Sequence, residues 1–226
     1  KGHLEIARLL CNAGAAVTQA RNDGTTPLFI TCQEGHLECV RLLLEASAAV
    51  GQARNNGVTP LFMACQQGHL EIARLLLEAD AAVGQARNDG ITPLLMACQE
   101  GRFDIVRLLL ETSAAVNQAK DDGTTPLYML LLEAGAAVAC QEGQLECVRQ
   151  LLEASATVNQ ANQDGATPLF GAHADAEGRT PLLGACYKGH LEIARLLRDA
   201  GADINQAMND GTTPLFIASQ KGHLEI

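Results

Sequence analysis

The sequence predicts an all-α solenoid of stacked helix-turn-helix units, and three observations carry that prediction. The triplet Thr-Pro-Leu begins at Thr26, Thr59, Thr92 and Thr125, a strict period of 33, and returns at Thr167, Thr180 and Thr213. Residues 21–53 and 54–86 match at 25 of 33 positions. Aromatics are scarce, with no Trp, two Tyr and five Phe, so Leu, Ala, Val, Ile and Cys must build the core. A fixed period of this length is the signature of a repeat architecture.

Residues 21–53 show how one unit is made. Asn22-Asp23-Gly24 is a turn signal, with glycine free to take positive φ. Thr26 predicts an N-cap and Pro27 a first helical residue, whose missing N–H would be unpaired there anyway. A short first helix is expected to about Glu34, closed by Gly35 in a left-handed cap. A second helix is expected from about His36 to Ala46, with Leu37, Val40, Leu43 and Leu44 on one face. Glu38 and Arg41 stand on the other face, a pair contributing about 0.2–0.5 kcal/mol. Residues 47–57 form an extended, polar-tipped connection to the next unit.

Neither helix buries its apolar face alone, so the units must stack, with neighbouring helices about 8–10 Å apart. The first helix carries small residues for that approach: Ala64-Cys65, Ala97-Cys98, Ala185-Cys186 and Ala218-Ser219. Large side chains there push the stack apart, costing about 1–3 kcal/mol each.

The pattern DGTTPLFI followed by CQEGHLECVRLLLEASAAV resembles the ankyrin repeat, and the likeness covers nearly the whole chain. The resemblance implies helix pairs joined by projecting β-hairpin fingers. It also implies a non-catalytic scaffold that binds a partner protein through hairpin tips and the concave first-helix face. The histidine that usually follows Thr-Pro-Leu and ties the turn together is replaced by Phe29, Phe62, Leu95, Tyr128, Phe170, Leu183 and Phe216. Apolar packing is expected to take over that task. The aspartate that usually opens a repeat is Arg21, Arg54, Arg87 and Lys120, and stands as Asp only at 175.

A formal net charge of −10 argues against a nucleic-acid surface, which needs clustered Lys and Arg, and against an anionic membrane. No apolar run approaches the roughly 18–20 residues of a spanning helix. Cys32, Cys65 and Cys98 recur at one repeat position, and no C-x₂-C pair exists, so they are expected to be small packing residues without metal or disulfide. Free thiols suit a reducing, cytoplasmic setting. His36, His69, His190 and His223 recur in Gly-His-Leu-Glu, with Arg102 and Gln144 replacing them elsewhere, which predicts capping and packing. No nucleophile elbow, phosphate loop or acid–base pair is present. Repetition itself disfavours an active site, which needs different groups meeting at one place. No catalytic residue, cofactor or metal site is therefore expected.

Mapped onto the family's contact positions, the partner-binding residues are Asn22, Asp23, Thr25, Gln33 and Glu34 in the first full unit. The next units offer Asn55, Asn56, Val58, Gln66 and Gln67, then Asn88, Asp89, Ile91, Gln99 and Glu100. Their uniformity fits a recently duplicated array, a repetitive partner, or a solvated face with the epitope elsewhere. Tyr187, Lys188 and Lys221 break it near the C-terminal end, where a local change of charge marks a discriminating patch. The resemblance further implies β-hydroxylation at Asn205, which has Leu197 and Asp203 before it; Asn117 and Asn159 lack the acid. A regulatory segment of a larger enzyme or channel, or a structural spacer or engineered array, are the alternative functions.

Three stretches follow: regular repeats over 1–129 (the first partial), irregular repeats over 130–179, and regular repeats over 180–226 (the last partial). The chain both begins and ends with KGHLEI, inside a repeat, and is expected to be flanked by further repeats or domains. Within 130–179, the insertion at 130–138 reads LLLEAGAAV, nearly duplicating LLLEASAAV at 42–50. Gly135 is expected to end a helix begun at Pro126. A unit at 162–174 is truncated, because Thr167 and Thr180 stand only 13 apart. A hinge is expected in this middle stretch.

Overall fold

Among the described residues, each Thr-Pro step starts a helix. In the computed structural model, which describes residues 2–133, 138–159, 180–223 and 225, the Thr26 hydroxyl accepts from the Phe29 amide at 3.1 Å. Thr59, Thr92, Thr125, Thr180 and Thr213 do the same for Phe62, Leu95, Tyr128, Leu183 and Phe216. Such a cap contributes about 1 kcal/mol. The described residues form α1 (Gly2–Asn12), then the pairs α2 (Pro27–Gln33) and α3 (Leu37–Glu45), α4 (Pro60–Gln67) and α5 (Leu70–Glu78), α6 (Pro93–Gln99) and α7 (Phe103–Glu111). There follow α8 (Pro126–Glu133) and α9 (Val138–Glu153), α10 (Pro181–Lys188) and α11 (Leu191–Asp199), and α12 (Pro214–Lys221). First helices stack in the order α2, α4, α6, α8, α10, α12, and second helices as α1, α3, α5, α7, α9, α11. The result is a two-layer wall.

The core runs between the layers. Leu28, Phe29, Cys32, Leu61, Phe62 and Cys65 are all buried at 1% exposure or less, beside Val40, Ile72 and Leu76. In α3, Val40, Leu42 and Leu43 are buried, while Leu37 and Leu44 keep part of their surface. The apolar stripe is thus wider than the predicted one, because the helix meets both its own first helix and its neighbours in the second layer. The Glu38–Arg41 pair forms on the exposed face at 3.8 Å.

Two expectations are corrected here. The fingers are not β-hairpins: no strand occurs among the described residues. The Arg21 amide donates to Thr25 O and the Gly24 amide to Arg21 O, both at 2.9 Å, so pairing stops after one rung. The histidines do not cap, either. His36, His69 and His190 stand at the N-caps of α3, α5 and α11 without a side-chain capping bond. Instead His69 Nε2 lies 3.2 Å from Gln33 O of the preceding unit, and Arg102 Nε donates to Gln66 O at 3.3 Å. The ring of His69 lies on Gly35, where a Cβ would stand 2.6 Å from it; Gly35, at φ +74, also needs the left-handed region.

The inserted stretch changes the pairing of a whole unit. α8 ends at Glu133, and Gly135 lies outside the described residues. α9 then runs unbroken for 16 residues, against nine in the regular second helices. Ala-Cys-Gln-Glu-Gly, which elsewhere closes the first helix, is here absorbed into the second. The truncated unit at 162–174 also falls outside the described residues.

Candidate protein-binding surface

The finger tips are made by local hydrogen bonds, and those bonds decide which atoms remain for a partner. Asp23 Oδ1 accepts from the Thr25 amide at 3.0 Å, Asn56 Oδ1 from Val58 at 3.2 Å, and Asp89 Oδ1 from Ile91 at 3.4 Å. These side chains therefore build the turn. The Thr25 backbone and side-chain hydrogen bonds, with help from Arg54 and Arg21, lower the Asp23 pKa to about 2.

Neighbouring tips are tied to one another. The Asn55 amide donates to Asp23 O, Asn88 to Asn56 O and Asp121 to Asp89 O, at 3.1, 3.1 and 3.3 Å. Along the outer edge Asn55 Nδ2 donates to Asn22 O, and Asn88 Nδ2 to Asn55 O, at 3.1 and 3.2 Å. Asn22, Asn55 and Asn88 thus form an exposed ladder. Their positions are fixed before any partner arrives, which lowers the ordering cost of binding.

Beneath the tips, the two departures from the family pattern meet. The Arg54 guanidinium sits 5.4 Å from the Phe29 ring and donates to Asp23 Oδ2 at 2.9 Å. Arg87 lies 5.7 Å from the Phe62 ring and pairs with Asp89. Each arginine follows the phenylalanine by 25 residues and stacks across the unit boundary. A cation over an aromatic face contributes about 0.5–1 kcal/mol at a partly exposed site. Apolar packing does replace the family's histidine here, with a cation added to it. The arginines had no assigned role at the sequence level; their register with Phe29 and Phe62 was the available signal.

The first-helix rail supplies the rest. Glu34, Gln67 and Glu100 are exposed, with Gln33, Gln66 and Gln99 half-buried beside them. Thr25 is only 7% exposed, and Val58 and Ile91 are buried at 5% and 7%. That position packs against the core, drawn inward by the turn, and Thr25 exposes little surface. Ile30, 39% exposed, stands on the rail instead. At the C-terminal end the charge reverses: Lys188 replaces the acid, and Lys221 Nζ lies 4.2 Å from the Tyr187 ring.

The loops on the other side use asparagine differently. Asn117 Nδ2 donates to Ser155 O at 3.0 Å and its Oδ1 accepts from the Thr157 amide at 2.7 Å. Asn159 repeats this with Gly201 O and the Asp203 amide at 3.1 and 2.8 Å. Asn205 is exposed, its amide bonded to Asp203 Oδ1 at 2.9 Å.

The thiols are packing groups. Cys32, Cys65, Cys98, Cys147 and Cys186 are free and buried, and burial pushes Cys32 and Cys147 up to about 12 and Cys186 to about 11. Among the described residues no three His, Cys, Asp or Glu side chains converge, and no helix is long and apolar enough to cross a membrane.

A wall of helix pairs with a rail on one side and tied fingers along its edge defines a solenoid repeat protein. The family model for ankyrin repeats matches residues 1–86, 80–137 and 137–226, and the chain belongs to that family. Its structure is similar to the crystal structure of the human ASB11 ankyrin repeat domain, with a TM-score of 0.76 and 25% sequence identity. The match covers 99% of this chain and 92% of that one. No curated protein matches the chain. Ankyrin repeats are in general protein–protein interaction modules, and typically not catalytic.

Proposed function

We propose that the chain is a non-catalytic scaffold holding a partner protein along the rail and the finger tips. The partner lies with one orientation. Carrying this reading is the charge reversal along one rail: Glu34 and Glu100 at one end, Lys188 and Lys221 at the other. A partner segment basic or neutral at one end and acidic at the other matches both. Buried thiols with raised pKa values suit a reducing compartment, and a cytoplasmic scaffold is the corresponding proposal.

Cross-linking mass spectrometry in native extract identifies the partner, and titration of the purified pair tests the polarity. Lys188→Glu is expected to slow association several-fold and flatten its salt dependence, as charged rims do. Unchanged rates for Lys188→Glu sink the oriented reading.

A further inference from the structure

The clasp that joins regular units is missing on both sides of α8–α9. In regular units a histidine nitrogen faces a carbonyl of the preceding first helix: His69 Nε2 faces Gln33 O, and His223 Nε2 faces Tyr187 O at 3.3 Å. A carbonyl only accepts, so both nitrogens carry the proton. His190 stands at the same place, at the N-cap of α11, but no such bond forms there. His190 Nε2 is therefore buried without a partner.

A second unpaired atom belongs to another residue on the same cleft. Gln144, fully buried, donates from Nε2 to Leu130 O at 3.0 Å, and its Oε1 has no partner. Both residues line a cleft of about 300 Å³ between α9 and the start of α11, with Leu145, Leu191 and Ile193 as apolar walls and Glu192, paired with Arg195, on the same lining. A buried polar atom left without a partner is unfavourable. Burial, with Lys188 and His223 nearby, holds the His190 imidazole below its ordinary range, so the ring is neutral. It is also only half-buried, which leaves it room to turn toward the cleft.

With the Nε2–H tautomer that His69 and His223 carry, His190 supplies one donor and Gln144 one acceptor, the complement of a carboxamide, while Glu192 on the same lining disfavours a carboxylate. We propose that this seam binds the side-chain amide of an Asn or Gln residue from a partner protein. The amide N–H₂ donates to Gln144 Oε1, its oxygen accepts from His190 Nε2–H, and the methylenes lie on Leu191 and Ile193. This rests on the reading of the chain as a protein-binding scaffold, at a place separate from the rail.

Propionamide is the probe, with sodium propionate at equal ionic strength as control, titrated into the full chain. Saturable NMR shifts at the His190 ring and the Gln144 side-chain amide are expected at millimolar propionamide, and at least tenfold weaker for propionate. His190→Leu removes the donor and should abolish the response; Gln144→Met, which removes the acceptor, is the second variant. An absent or unsaturable shift, an equal response to propionate, or an unchanged response in either folded variant overturns the proposal. Should both variants fail to fold, the propionamide–propionate comparison in the native chain decides. A negative result removes the slot and leaves the rail standing, because Glu34→Lys, in α2–α3 far along the stack, reads the rail alone.

Discussion

Four residues hold a conformation that their side chains resist. Ser47, Asp80, Ser113 and Ser155 sit at φ between 62 and 66 just after a second helix, where the equivalent units carry Gly14 and Gly201. A Cβ in the left-handed region costs about 1–2 kcal/mol, partly offset by the extra backbone freedom of glycine when unfolded. Ser113→Gly should therefore raise stability by about 0.5–1 kcal/mol, read as a higher urea midpoint. Gly35→Ala should act oppositely and more strongly, since it adds the same strain and pushes the His69 ring from 2.6 Å. A lower midpoint for Ser113→Gly contradicts the account. At this scale the sequence was partly legible. Thr26 and Pro27 announce their caps by chemistry, whereas serine at a left-handed cap is visible only by aligning it with Gly14 and Gly201.

Helices and loops show where local sequence stops deciding. Ala97-Cys98-Gln99-Glu100-Gly101 and Ala139-Cys140-Gln141-Glu142-Gly143 are the same pentapeptide. The first ends a helix, with Gly101 at φ +63, while the second lies within α9. The difference is tertiary. Gly143 receives the Phe103 ring, which a Cβ would meet at 2.6 Å, and Gln144 is held by Leu130 O. Both contacts are long-range, so the fate of Gly143 could not be foreseen from its pentapeptide. Loop clamps follow the same logic of register. Asn117 and Asn159 each grip the next loop twice, but Gly51 and Gly84 stand at their position in the earlier units. By the same register an asparagine at 84 would donate to Ser113 O and accept from the Ala115 amide. Gly84→Asn should add about 0.5–1.5 kcal/mol per bond formed, measured by urea denaturation with Asn117→Gly as the reverse control. No gain from the first and no loss from the second removes the clamp as a stabilising device.

Across the molecule, stability in such a stack is nearly a sum of units and of the junctions between neighbours. The regular junctions carry a clasp and a finger bond: His69 to Gln33 with Asn55 to Asp23, then Arg102 to Gln66 with Asn88 to Asn56. The junction between α8–α9 and α10–α11 keeps the Asn159 clamp but loses the histidine clasp, and it leaves Gln144 Oε1 and His190 Nε2 unpaired. The 33-residue period made the fold and the rail legible, because every regular unit repeats its contacts. It could not show this weak junction, whose defect lies in the pairing of two particular atoms. One missing bond of about 0.5–1.5 kcal/mol changes an opening equilibrium by roughly two- to tenfold. Hydrogen exchange in α10–α12 should therefore be roughly two- to tenfold faster than in α4–α7, measured on the full chain by mass spectrometry in dilute urea. Protection should be lost in two steps, with α10–α12 opening as one block while α2–α7 remain closed. If all twelve described helices lose protection together, the junction transmits cooperativity as well as any other, and the stack is one folding unit.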